Sequence, residues 1–303
     1  MHIGFAVYKI VYMALSYSAV YNVRISKAQR AAQKGRVINM IKYGVCNWCL
    51  PVEGPDACDM ISRLHLDGMH VRFTDELKEN MARYKAKSRE LGIEYPTIGM
   101  SLFGKHSYTD KNGRAFFVEQ IKRAVDMCHE LGCRTIQIPA FGDSLIKTPE
   151  DLKNAALCMQ DACALAQEAG LLVATENALG AEDNVEFFRL VGMDNFKFYF
   201  DTQNTMKMSG VDSVEVLRAV KDKMCEMHVK DCSLAPGSTG SMALGEGDTG
   251  FARIMDYVKS IGYPKWIVLE NEYSKGALRD SYPGDMSHIS KDIATVKAIC
   301  EPA

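Results

Sequence analysis

From Met40 onward, apolar and polar positions follow one repeating order: a short run of β-branched or aromatic residues, an amphipathic stretch closed by glycine, then another apolar run. The runs fall at Tyr43–Leu50, Gly68–Phe73, Thr97–Leu102, Thr135–Pro139, Leu171–Glu176, Lys197–Asp201, Cys225–Lys230 and Trp266–Glu270. Their length and residue types predict strands. Between them, Gly92, Gly132, Gly170, Gly192 and Gly262 each follow an amphipathic stretch, where glycine can enter the left-handed conformation and close a helix. Thr148-Pro149-Glu150-Asp151 and Thr74-Asp75-Glu76 predict helix starts, since each pairs a capping hydroxyl with carboxylates that suit the positive end of the helix dipole. Strands that alternate with helices in this way predict an α/β fold, a closed parallel (β/α)8 TIM barrel over residues 40–303. An open doubly wound sheet would want a glycine-rich phosphate turn after its first strand, and Cys46-Asn47-Trp48-Cys49-Leu50-Pro51 is not one.

Residues 1–39 differ in kind. They hold Lys9, Arg24, Lys27, Arg30, Lys34 and Arg36 but no acidic residue, and an apolar stretch from Phe5 to Val20 is interrupted by Lys9. This segment reads as an extension outside the fold, with a targeting peptide as the alternative; a signal peptide would carry a cationic region ahead of its apolar part. The remainder keeps 30 of the 36 basic residues against all 38 acidic ones. Such a balance offers no basic field for nucleic acid. The barrel has no run suited to crossing a membrane, and ten cysteines without a paired framework suit a reducing compartment, the cytoplasm.

Polar chemistry appears where the apolar runs stop. Leu-Leu-Val-Ala-Thr-Glu176, Phe-Tyr-Phe-Asp201, Met227-His228 and Trp-Ile-Val-Leu-Glu270 place a metal-capable group on the fifth, sixth, seventh and eighth strands. Barrel active sites gather at the C-terminal strand ends, so four adjacent strands bring these groups to one rim. Three carboxylates and an imidazole make an oxygen-rich site for one divalent cation, Mn2+ first, with Mg2+, Co2+ or Zn2+ also accommodated.

These residues resemble the xylose isomerase-like barrels, a family of sugar isomerases and epimerases that also includes inosose dehydratase and endonuclease IV. The resemblance is carried by Thr175-Glu176-Asn177, Phe200-Asp201-Thr202-Gln203-Asn204, Met227-His228-Val229-Lys230-Asp231, Leu244-Gly245-Glu246-Gly247-Asp248 and Val268-Leu269-Glu270. It implies that Glu176, Asp201, His228 and Glu270 ligate the metal. It further implies that Glu176 and Glu270 exchange a proton at the carbon beside a carbonyl, through an enediolate, in a small sugar or polyol. Glu182 matches a substrate-contacting position of the epimerases, and it equally suits a helix N-terminus. The family often forms homo-oligomers, and some members work with a partner subunit.

Some positions depart from the ketose epimerase pattern. Asn204 stands where those enzymes carry a histidine, Leu234 where they carry an arginine, and His70 where many relatives carry a glutamate. A metal-dependent lyase of the same fold, either an inosose dehydratase or the metal subunit of a carbon-glycoside deglycosidase, is therefore the alternative function. Arg72 and Lys230 are candidates for an anionic substrate group, although Lys230 also suits a pair with Asp231. Trp48, at a strand end, suits stacking on a sugar or packing. The nuclease branch needs additional histidines around Asp201 and His228 that this chain lacks. Cys46-x-x-Cys49 has no second pair at a zinc-like spacing and reads as buried thiols, and His106 reads as a solvated loop histidine.

Overall fold

A computed structural model describes residues 41–274, Leu278 and 287–301. The expected extension over residues 1–39 lies outside the described residues. Eight strands close into a parallel barrel in sequence order: β1 Lys42–Cys46, β2 Gly68–Arg72, β3 Thr97–Gly99, β4 Thr135–Pro139, β5 Leu172–Glu176, β6 Phe196–Asp201, β7 Met224–Val229 and β8 Trp266–Leu269. The ring closes where β1 pairs with β8, Lys42 opposite Trp266 and Val45 opposite Leu269. The helices described are α1 Ala57–Arg63, α2 Asp75–Glu79, α3 Met81–Leu91, α4 Arg114–Leu131, α5 Pro149–Glu168, α6 Ala181–Val191, α7 Asn204–Ser209, α8 Ser213–Val220, α9 Phe251–Ile261 and α10 Ser287–Cys300. None is long and apolar enough to cross a membrane.

Local sequence explains the boundaries. Thr148 and Asp151 form a reciprocal capping box at the start of α5, and the Thr74 hydroxyl accepts the Leu77 N–H at the start of α2. Gly92, Gly132 and Gly192 take the left-handed conformation after α3, α4 and α6. Gly262 has a positive φ of 92° but a ψ of 132°, so α9 is closed by an extended exit instead of a left-handed cap. Two strands stop well short of the ends of their apolar runs. β1 stops at Cys46, where the chain turns into a 3-10 segment and the Asn47 side chain accepts the Arg72 N–H at 3.1 Å. β3 ends at Gly99 and is followed by a 3-10 turn over Ser101–Gly104.

The apolar core lies between the outer strand faces and the helices. Along α9, Phe251, Ile254, Met255 and Val258 recur on one helical face and are buried. On β6, Phe196 and Phe198 face α6, with Phe188 4.9 Å from Phe196 and Phe187 5.3 Å from it. Truncating one such aromatic is expected to cost about 3–5 kcal/mol.

The barrel interior is polar in part, although the runs that build it are mostly apolar. Its lowest layer holds Thr97, Thr135 and Glu226, with Thr135 Oγ1 2.7 Å from Glu226 Oε1 and Thr97 donating to Oε2. Above them, Cys46, His70, Tyr199 and His228 pack together, and Tyr199 lies 4.4 Å from His228 between ring centroids. Polar groups survive in this interior because they partner one another across strands. A register shift between Phe198 and Tyr199 in β6 sets Tyr199 beside Glu226 and Asp201 beside His228.

Candidate functional site

The four strand-end groups converge. Glu176, Asp201, His228 and Glu270 each present one donor atom, and these atoms all lie within 4.8 Å of one another. His228 Nδ1 is 3.2 Å from Glu270 Oε2 and 3.4 Å from Glu176 Oε2. Lys230, one pleat above His228 on the same strand face, reaches Glu270 Oε2 at 2.6 Å and Asp201 Oδ2 at 3.2 Å. Asp201 also organises the chain that follows it. Its Oδ1 accepts the backbone N–H groups of Gln203 and Asn204 at 2.8 and 2.6 Å, which turns the chain into α7 and leaves Oδ2 facing the centre.

Charge crowding governs the titration of this cluster. Burial disfavours the imidazolium of His228, but Glu270 and Glu176 overcome that and hold its pKa at about 10. Burial, reinforced by Glu176 and Glu270 against the opposing pull of Lys230, raises Asp201 to about 6. Burial opposes ionisation of Glu270 too, yet His228 and Lys230 hold its carboxyl well below the usual range. Lys230 keeps its proton for the same reason in reverse: burial is outweighed by Asp201, Glu270 and Glu176.

The cluster fits a divalent cation on its own geometry. Asp201 Oδ2 and His228 Nδ1 are buried without a hydrogen bond, although oppositely charged groups lie within 3.2 Å of each. Both atoms are thus placed to turn toward a common ion once His228 gives up its proton. Donors at about 2.0–2.2 Å from one ion lie within the mutual separations seen here.

The other candidates sort by position. Trp48 lies in the 3-10 segment after β1, and its Nε1 donates to Glu270 Oε1 at 3.2 Å. Asn204 Nδ2 donates to Glu176 Oε1 at 2.6 Å, so this departure from the histidine pattern orients a carboxylate of the cluster. Lys230 pairs with the cluster and not with Asp231. That aspartate instead accepts N–H groups from Cys232, Gly245 and Gly247 and the hydroxyl of Thr249, which binds the glycine loop to the end of β7. Glu182 is not brought to the cluster: it is exposed in the first turn of α6 and shares a surface groove with Arg218. Leu234 is exposed, 36%, and leaves that side of the rim without a cation at this position. His106 is exposed and tilted against Phe116 at 4.9 Å. All ten cysteines are free.

Three neighbours were not singled out for this role from sequence. Gln137 Nε2 donates to Glu176 Oε2, so both glutamate oxygens are held by amides. His70 Nδ1 lies 3.0 Å from His228 Nε2, with the rings stacked at 5.1 Å, and burial followed by repulsion from His228 holds His70 well below the usual imidazole range. Cys46 Sγ lies 3.4 Å from the same His228 Nε2. A polar residue in the middle of an otherwise apolar strand was the available signal for Gln137 and His70.

Known proteins carry the same arrangement of elements. Over 245 residues, 78% of this chain and 88% of the relative, the sequence is 25% identical to a 2-epi-5-epi-valiolone 7-phosphate 2-epimerase of an Actinoplanes species. The fold is similar to that of the IOLI protein with a bound zinc atom, at TM-score 0.70 and 16% identity, over 86% of this chain and 98% of that one. It is equally similar to an L-ribulose 3-epimerase, at TM-score 0.70 and 17% identity, over 86% and 95% of the two chains. The xylose isomerase-like TIM barrel family matches residues 57–291, most of the chain, and the protein belongs to that family.

Proposed function

We propose that this barrel is a carbohydrate epimerase or isomerase that uses one divalent cation, Mn2+ in the first instance, held by Glu176, Asp201, His228 and Glu270. The observation that carries the reading is the convergence of these four donors, with Asp201 Oδ2 and His228 Nδ1 unbonded at their centre. The named activity of the Actinoplanes relative agrees with it. When bound, the cation would polarise the substrate carbonyl and stabilise negative charge that develops on its oxygen.

The chain's own residues then account for proton movement. Glu176 and Glu270 are both 3.2–3.4 Å from His228 Nδ1 and reach it from different strands, β5 and β8, with β6 and β7 between them in the ring. One carboxylate removes the proton beside the carbonyl, and the other returns one on the opposite face. Gln137 and Asn204 fix both oxygens of Glu176, while Trp48 and Lys230 fix those of Glu270, so neither carboxylate must reorient. The substrate is a small sugar or polyol derivative, and the ten free cysteines suit a reducing, cytoplasmic setting.

A lyase that expels a hydroxyl after the same proton removal is the second reading, favoured by Asn204 and Leu234 in place of the epimerase histidine and arginine. Metal analysis of protein purified without chelator, alongside E176Q and D201N, tests the site. Solvent deuterium incorporation into a panel of ketoses and inososes tests the chemistry. About one metal per chain that is lost in both variants, with deuterium entering a carbon beside a carbonyl, is the expected result. Dehydrated product in place of exchanged sugar selects the lyase, and absence of any affinity for Mn2+ refutes the site.

A further inference from the structure

His70 and Arg72 leave the same face of β2, two residues apart, and each keeps a nitrogen without a partner. Trp48 packs against both: its ring lies 4.8 Å from that of His70, and the Arg72 guanidinium carbon lies 5.1 Å from the indole. Arg72 Nε and His70 Nε2 are buried without a hydrogen-bond partner. Among the described residues no carboxylate pairs with Arg72. The nearby acids are engaged elsewhere, Glu270 with Trp48 and Lys230, and Asp201 with Lys230.

Gly99, opposite Arg72 in the β2–β3 register, lets the β3 backbone pass close to these side chains. A Cβ at Gly99 would come within 2.7 Å of His70 Nε2, 3.1 Å of Gln137 Oε1 and 3.3 Å of the Trp48 ring. His70 Nδ1 meets His228 Nε2 at 3.0 Å, which leaves Nε2 as the ring nitrogen of His70 without a partner. A partly buried guanidinium that lacks an acceptor, stacked on the Trp48 ring that also reaches the cluster, defines a place for an acceptor that brings negative charge.

We propose that this edge of the mouth is a subsite for an oxyanion, phosphate or carboxylate, carried by the substrate away from its hydroxycarbonyl end. The proposal rests on the epimerase reading and narrows its substrate to an anionic sugar derivative. Arg72 takes the oxyanion through its N–H groups, and Trp48, which stacks on the guanidinium and donates to Glu270, lines the span between this subsite and the cluster.

Two measurements separate the subsite from the reaction. In the first, inorganic phosphate is titrated calorimetrically into metal-free wild type, R72Q and R72K. Binding by wild type, weakened about 10-fold or more in R72Q and partly restored in R72K, is expected. In the second, Mn2+-loaded enzyme exchanges solvent deuterium into a ketohexose, its terminal phosphate and the matching keto acid. One of the two anions is expected to exceed the neutral sugar by about 10- to 100-fold in kcat/KM, and that ratio should collapse in R72Q. Whichever anion is favoured identifies the source of the oxyanion. Equal phosphate binding by wild type and R72Q, no phosphate binding at all, or a neutral sugar that matches both anions overturns the subsite. Absence of exchange with every sugar refutes the epimerase reading instead, and the phosphate titration still decides the subsite.

Discussion

Metal loading should release protons, and the number released should change with pH. In the metal-free site His228 carries a proton with a pKa of about 10, because Glu270 and Glu176 outweigh the effect of burial. To ligate through Nδ1 the imidazole must give that proton up. At pH 7 this is a deficit of about three units, so deprotonation costs about 4 kcal/mol and weakens the apparent affinity about 1000-fold. Affinity should therefore rise about tenfold for each pH unit between about 7 and about 10, with one proton released per cation. Asp201, held at about 6, adds a second proton below that pH and steepens the dependence on the acid side. Lys230 remains charged throughout, since Asp201 and Glu270 hold it well above the usual range against burial. Calorimetric titration of Mn2+ in buffers of different ionisation enthalpy counts the protons directly. A proton count of zero at pH 7, or an affinity flat with pH, would refute the placement of the cation against His228 Nδ1.

Three further outcomes follow from the same geometry. Metal-free protein should lose stability as pH rises from about 6.5 to about 10, by up to about 5 kcal/mol: a group whose folded-state pKa is raised contributes fully below its ordinary value, and that contribution disappears through the folded one. Urea denaturation at about pH 7 and about pH 9.5 checks this, and equal stability at both would count against it. N204A should keep the metal but lower kcat about 10-fold, because Glu176 loses the donor on Oε1; unchanged deuterium exchange would remove Asn204 from that role. D231A should cost about 3 kcal/mol in chemical denaturation, since five donors of the Cys232–Thr249 segment lose their common acceptor, and a loss under about 0.5 kcal/mol would contradict it.

The outer faces of the strands and the rim were legible in the sequence for one physical reason. An apolar run that stops on a carboxylate marks both the end of a strand and the layer where solvent and ligand begin, as at Phe200-Asp201 and Leu269-Glu270. The barrel interior was less legible, because a polar residue such as Gln137 within Ile136-Gln137-Ile138 reads as a tolerated exception until its partner on another strand is known. Spacing within one strand carried part of that information: Glu226, His228 and Lys230 recur every second residue, and so do His70 and Arg72. Their pairing across the barrel depends on closure and on the β6 register shift, which no local pattern encodes. Glu182 shows the opposite limit, since six residues of separation from Glu176 do not say which way a helix start will face.

Trp48 has a consequence beyond catalysis. The chain has two tryptophans, and they stand at opposite ends of the barrel, Trp266 where β8 begins and Trp48 at the mouth where β8 ends. Only the indole of Trp48 is bonded to a cluster carboxylate, at 3.2 Å from Glu270. The protein thus contains its own optical probe. Any occupant that draws Glu270 toward itself changes the electric field along that indole N–H, and the emission of Trp48 should shift while Trp266 supplies a constant background in the same spectrum.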